Sequence, residues 1–158
     1  MLQRIAFGAL AGMSATMVMT ATMRRLFSEL PAEERYPLPP RELTERILPA
    51  PDSALPTLTV LAHFAYGAAA GALFSVLPQR RQGTGAGYGV AVWALSYLGW
   101  IPALNVLKPA TQHPPRRDLL MIAAHLVWGT ALAAGTRELN RSASDVFAAG
   151  RLRDSPRP

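Results

Sequence analysis

The sequence predicts an all-α membrane protein: four transmembrane helices in two tandem helix hairpins, with a short interfacial helix in the first long connection. Three observations carry this. Four long stretches are almost free of charge. Only 16% of the chain is charged, against roughly 25% in soluble domains. The charges present are gathered in blocks between those stretches, which is how a bilayer sorts residues. A Lys, Arg or Asp at the centre of a membrane helix costs about 2.5–3.5 kcal/mol to insert.

Each stretch satisfies the roughly 17–25 apolar residues needed to cross hydrocarbon. The first runs from Ile5 to Met23, between Arg4 and the pair Arg24 and Arg25. The second runs from about Leu58 to Leu77 and carries His63. The third runs from about Gly83 to Leu107, between Arg81 and Lys108. The fourth runs from Leu119 to about Thr136 and carries His125. A soluble bundle would need a polar face on each helix, and none has one. A β-barrel would need short alternating segments, whereas these runs are continuous; helices satisfy their own backbone polar groups, as lipid demands. The first stretch is longer than a signal peptide's apolar region and ends in two arginines without a small-x-small site, so it is expected to stay as a span. The transmembrane domain is expected over 1–138. A polar tail, 139–158, follows and is expected to lack order beyond Ala149.

The first connection, Arg24 to Thr57, is the longest. Pro37, Pro39 and Pro40 impose extended backbone. From Arg41 to Leu48 the pattern turns helical, with Pro40 suited to its first position. Leu43, Ile47 and Leu48 share one side, which predicts a helix lying on the membrane surface. Pro49 and Pro51 end it. The second connection, 78–82, is short and basic; the third carries His113, Pro114, Pro115, Arg116, Arg117 and Asp118, with His113 expected at the surface.

The second and fourth stretches share a pattern. Ala62-His63-Phe64-Ala65-Tyr66-Gly67-Ala68-Ala69 aligns with Ala124-His125-Leu126-Val127-Trp128-Gly129-Thr130-Ala131, offset by 62 residues. A Pro-Pro-Arg precedes each copy, at Pro39 and at Pro114. The first half then reads as the second with about 13 residues inserted, and the halves are parallel repeats about an axis along the membrane normal, as in some transporters.

Residues four apart share a helix face. Those faces read Gly8, Gly12, Thr16, Thr20; then His63, Gly67, Gly71, Ser75; then His125, Gly129, Ala133. Gly85 and Gly89 begin a similar face on the third stretch, followed by Trp93 and Tyr97. Small residues at this spacing let membrane helices approach closely, which makes Gly8, Gly12, Gly67, Gly71 and Gly129 candidate helix-packing residues. Both histidines head such a stripe and should face protein. Each lies roughly 8–9 Å inside the same interface at 1.5 Å per residue. Three roles are open to them: neutral imidazoles bonded across helices, a proton-responsive pair, or two axial ligands of a b-type haem with Arg41, Arg116 or Arg117 near its propionates. A zinc site would want three or four ligands, and no Asp, Glu or Cys lies at that depth. Asn105, with Pro102 and Trp100, could line a cavity; the other reading makes Trp100 an interfacial anchor and Pro102 a helix kink.

The formal net charge is +6, carried by residues flanking the spans. It reads as contact with anionic headgroups rather than with nucleic acid. No cysteine is present, which removes disulfides and thiolate chemistry. No P-loop, nucleophile elbow, dinucleotide fingerprint or HExxH motif occurs, so nothing marks an enzyme. Basic residues divide eight to a side of the four spans; the free amino terminus and the Arg80-Arg81 turn favour both termini in the cytoplasm.

The GALAG run at Gly8–Gly12, YPLPPRE at Tyr36–Glu42 and AHFAYGAAAGALF at Ala62–Phe74 resemble the YagU-like family of small bacterial inner-membrane proteins, a domain of unknown function. The resemblance covers roughly Ile5 to Thr136. It implies a bacterial inner membrane and a multi-span helical fold, and supplies no catalytic residues. The bias of 15 Arg to 1 Lys points separately to a high-GC bacterial genome. The function expected is a non-enzymatic membrane protein that self-associates through its glycine stripes or binds a membrane partner. The alternatives are proton-responsive or small-solute transport through His63 and His125, and haem-based electron carriage.

Overall fold

The computed structural model describes residues 1–78 and 84–150. Most of the short basic connection and the last residues of the tail therefore lie outside the description, together with the expectations placed on them. Among the described residues there are helices and turns, and no strand.

Helix α1 spans Leu2–Phe27. Its buried residues, Gly8, Ala11, Gly12, Ala15, Thr16, Met19 and Met23, recur at three- and four-residue steps and form one face. Leu10, Met13, Met17 and Val18 on the other side are exposed. Thr20, expected on the buried stripe, is exposed; the face drifts round at 3.6 residues per turn and Met19 takes its place. Arg24 and Arg25 close the last turn, where positive charge complements the helix dipole.

A 3-10 turn at Ala32–Glu34 follows, and Arg35 folds back to donate to the carbonyls of Leu30 (2.6 Å) and Ser28 (2.9 Å). Helix α2, Pro39–Ile47, starts two residues before the sequence pattern suggested. Prolines suit the first turn because the N–H groups they lack have no helical acceptor there. Helix α3 spans Leu55–Val76. Arg4 ties its far end to the start of α1 by donating to the carbonyl of Ser75 at 3.0 Å.

The third apolar stretch is not one regular helix. Helix α4, Gly85–Ala94, passes into a π-helical segment, Leu95–Trp100, where Gly99 leaves helical geometry (φ −112°, ψ −108°). One more turn, Ile101–Ala103, carries Pro102. Pro102 lacks the N–H that would continue the ladder and crowds the preceding turn, so the break falls at Gly99, three residues upstream. The stretch ends before the expected Leu107. Asn105 takes the left-handed conformation, φ 54°. Its N–H meets the carbonyl of Pro102 (3.0 Å), and that of Val106 meets Ile101 (3.1 Å). This is a Schellman stop with Asn in the position usually held by Gly. Asn105 is thus a terminator and not a cavity residue.

Helix α5, Pro115–Ser144, is the longest. It runs past Thr136, so the first residues of the expected polar tail are its last turns. Three helices, α1, α3 and α5, are long and apolar enough to cross a membrane. Their outward residues support that setting: Val60, Leu61, Leu73, Leu119 and Leu126 are all exposed, an arrangement water would penalise at about 25 cal/mol per Å².

α1 and α5 lie at the centre; α3 packs on α1, and α4 on α5. Two glycine seams hold the outer pairs. A Cβ at Gly12 would strike the carbonyl oxygen of Gly67, and one at Gly71 that of Gly8. Likewise a Cβ at Gly85 would strike the carbonyl oxygen of Gly129, one at Gly129 that of Gly85, and one at Gly89 that of His125. Backbones this close gain dispersion contacts that lipid cannot replace. α3 and α4 have no such seam between them; side chains bridge them instead.

Candidate functional site

The gap between α3 and α4 forms a half-open cavity of about 350 Å³. Ala62, His63, Tyr66 and Gly67 of α3 form one wall. Val92, Ser96, Tyr97, Trp100 and Ile101 form the other. The π-helical segment supplies Ser96, Tyr97 and Trp100; such bulges re-aim side chains and recur at functional sites. Thr16 and Met19 of α1 and Met121, His125 and Trp128 of α5 make the back. Pro40, Leu43, Thr44, Ile47 and Leu48, from α2 and its end, cover the cavity. The apolar side of α2 read from the sequence thus borders the cavity, and Ile47 and Leu48 are at the same time exposed.

One end is closed by rings. Trp128 stacks on Tyr88 (6.0 Å between centroids), which leans on Phe74 (5.0 Å). Tyr88 donates its hydroxyl to the carbonyl of Ala70 at 2.7 Å. Two further polar contacts cross the bundle. Trp128 Nε1 donates to Thr16 Oγ1 at 3.1 Å, and the Tyr66 and Ser96 hydroxyls meet at 2.9 Å. Thr16 in turn donates to the carbonyl of Gly12 (2.8 Å). Thr44 donates to the carbonyl of Pro40 (2.8 Å); the lining is otherwise apolar apart from the Tyr97 phenol and the imidazoles.

His63 and His125 both line this cavity. His125 is 7% exposed, and its Nδ1 lies 2.7 Å from the carbonyl of Met121. A carbonyl only accepts, so Nδ1 carries the proton and Nε2 presents a lone pair. Tyr97 stands edge-on to this ring at 6.2 Å. His63 is half-buried, and its Nε2 is buried without a hydrogen-bond partner. The two imidazoles stand at one site, and bonding across helices describes neither: His125 Nδ1 bonds a carbonyl of its own helix, and His63 Nε2 has no hydrogen-bond partner.

Arg117 holds the cover in place. It is 4% exposed. Nη1 donates to the carbonyls of Glu34 and Tyr36 (2.9 Å each), and Nη2 to that of Pro37 (2.7 Å). Its guanidinium lies 3.5 Å from the centroid of the Tyr36 ring, and Glu42 Oε1 is 3.8 Å away. Sequence reasoning weighed Arg117 as a flanking charge and as a candidate partner of haem propionates, not as a clamp on the first connection. Its signal was an arginine in the first turn of a span with a proline-rich segment, unable to bond its own carbonyls, elsewhere in the chain. His113 is half-buried, with Nδ1 3.6 Å from Asp118, rather than at the surface.

A b-type haem fits this site poorly. Two imidazoles share the cavity, but no charged side chain lines it, and Arg117 is occupied by backbone carbonyls. Two propionates would meet no cation in the cavity wall, where an unpaired buried carboxylate is costly; Arg41, whose Nη1 is buried without a hydrogen-bond partner, lies outside the lining. Among the described residues no three His, Asp or Glu side chains gather as metal ligands.

Compared with known proteins, the chain matches no family model, no curated protein and no solved structure.

Proposed function

We propose that this chain is a four-pass, non-enzymatic protein of the bacterial inner membrane, with both termini cytoplasmic, that binds a small and mostly apolar guest between α3 and α4. The observation that carries the reading is the cavity itself: about 350 Å³, within the range of ligand sites, mostly apolar and without a charged side chain, with two imidazoles in its wall. In this reading the broken stretch from Gly85 to Ala103 is the third crossing. The helices form two hairpins, α1 with α3 and α4 with α5.

Three features support a repeat. Gly12 meets Gly67 and Gly71 as Gly85 meets Gly129 and Ala133, and the second partners are 62 positions apart in both cases. Tyr66 and Trp128, equivalent in the repeat, each reach a hydroxyl on the first helix of the opposite hairpin. Glu42 and Arg117, each one residue past a Pro-Pro-Arg, meet each other, as equivalent positions do near a twofold axis. The motifs resembling the YagU-like family fit the same plan.

Self-association through the glycine stripes is less well supported, because Gly8, Gly12, Gly67, Gly71 and Gly129 are taken up within one chain. A proton-responsive transport role uses the same imidazoles; loss of proteoliposome flux in His125→Ala would select it. The guest reading is tested by native mass spectrometry of protein released from detergent micelles with 1-bromoundecane. A one-to-one adduct is expected, and filling the cavity by Ala62→Trp should remove it. An adduct unchanged by Ala62→Trp, or no adduct with any apolar probe, would refute it.

A further inference from the structure

Resting on the guest-binding reading, we propose that the guest is a neutral single-chain amphiphile with a hydroxyl head, taken up sideways from the bilayer and held by hydrogen bonds to His63 and His125. The cavity wall contains no Asp, Glu, Lys or Arg. A phosphate or carboxylate head would therefore be buried without a counter-charge, which several kcal/mol of desolvation opposes. The head must still be polar, because His63 Nε2 is buried and unbonded and an unmade hydrogen bond in a low-dielectric site is costly.

The tautomer narrows the choice. His125 Nδ1 donates to Met121, so its Nε2 can only accept and requires a donor from the guest. An ester, ketone or ether offers acceptors alone and leaves that lone pair unmet. A hydroxyl donates to His125 while accepting from His63, and is the simplest neutral group to do both. The route follows from the packing. The two outer seams are closed by backbone contact at glycines and α1 packs directly on α5, whereas α3 and α4 are bridged beside the cavity by the Tyr66–Ser96 pair. Tyr66 is 45% exposed, on the side where the bundle meets lipid.

The test uses the full chain in lipid nanodiscs. One-to-one binding of three probes, 11-bromo-1-undecanol, 11-bromoundecanoate and 1-bromoundecane, is measured by native mass spectrometry. The alkanol is expected to bind about 30-fold more tightly than the bromoalkane, the worth of two neutral hydrogen bonds, and the carboxylate more weakly than the alkanol. His63→Phe and His125→Phe should each reduce the ratio of alkanol to bromoalkane binding measured on the same variant, and the two together should abolish it. Equal binding of alkanol and bromoalkane by the unmodified protein would overturn the hydroxyl assignment while leaving the guest reading intact. So would tightest binding of the carboxylate, or a preference that survives both substitutions. Absence of any adduct would instead sink the guest reading itself.

Discussion

Arg117 offers the sharpest quantitative test of how the cover is held. Arg117→Ala removes three charge-assisted hydrogen bonds of 2.7–2.9 Å, each worth about 1.5–3 kcal/mol in truncation experiments, and a stacking contact with Tyr36 worth about 0.5–2 kcal/mol. Full loss of all of these is not expected. Tyr36 and Pro37 are exposed, so water can reach two of the three carbonyls once the side chain is gone. The guanidinium also no longer has to be desolvated. The net destabilisation should be on the order of 3 kcal/mol. Arg117→Lys keeps the charge but not the planar fork that reaches three acceptors at once, and should recover less than half of that loss. Denaturant titration in dodecyl maltoside micelles measures the stability, and amide hydrogen exchange across 29–40 measures the attachment of the connection. A change within about 0.5 kcal/mol, typical of unremarkable surface substitutions, with unaltered exchange, would refute the clamp.

Two further outcomes follow from the backbone. Gly71→Val and Gly129→Val each place a Cβ against a facing carbonyl oxygen and should destabilise by at least about 1–3 kcal/mol, whereas Gly87→Ala, whose nearest neighbour is Thr84 Cβ at 4.0 Å, should be neutral or slightly stabilising in the same titration. Asn105→Gly should leave stability unchanged or raise it, and Asn105→Val should lower it by about 1–3 kcal/mol, because a β-branched residue resists the left-handed conformation recorded there; equal midpoints for the two variants would refute the Schellman assignment.

The helical, membrane-like character was legible because charge and length are one-dimensional properties. The meeting of His63 and His125 in one cavity was legible in part, since each heads a stripe of small residues and equal depth follows from counting. The expectation of two hairpins named no residue-to-residue contacts between helices. That Gly8 and Gly12 meet Gly67 and Gly71 is fixed only by the assembled backbones. The break at Gly99 was hidden because Pro102 announces a disturbance without specifying which upstream residue yields. The role of α2 was hidden for a related reason. An amphipathic nonamer shows an apolar side without telling which of its residues border a cavity, and the segment leading into it is tied down by Arg117, a residue 70 positions beyond Ile47.

The central position of α5 bears on how the molecule is made. Synthesis proceeds from the amino terminus, so α1 and α3 can zip together while the ribosome is still at work. Met121, His125 and Trp128 arrive only with the final crossing, and Arg117 with them. Until that helix inserts, α1 has no central neighbour and Tyr36 no cation to rest on. A nascent chain stalled near Pro114 would therefore display a paired helical hairpin with a loose loop, and the chamber would come into being as the last event of biogenesis.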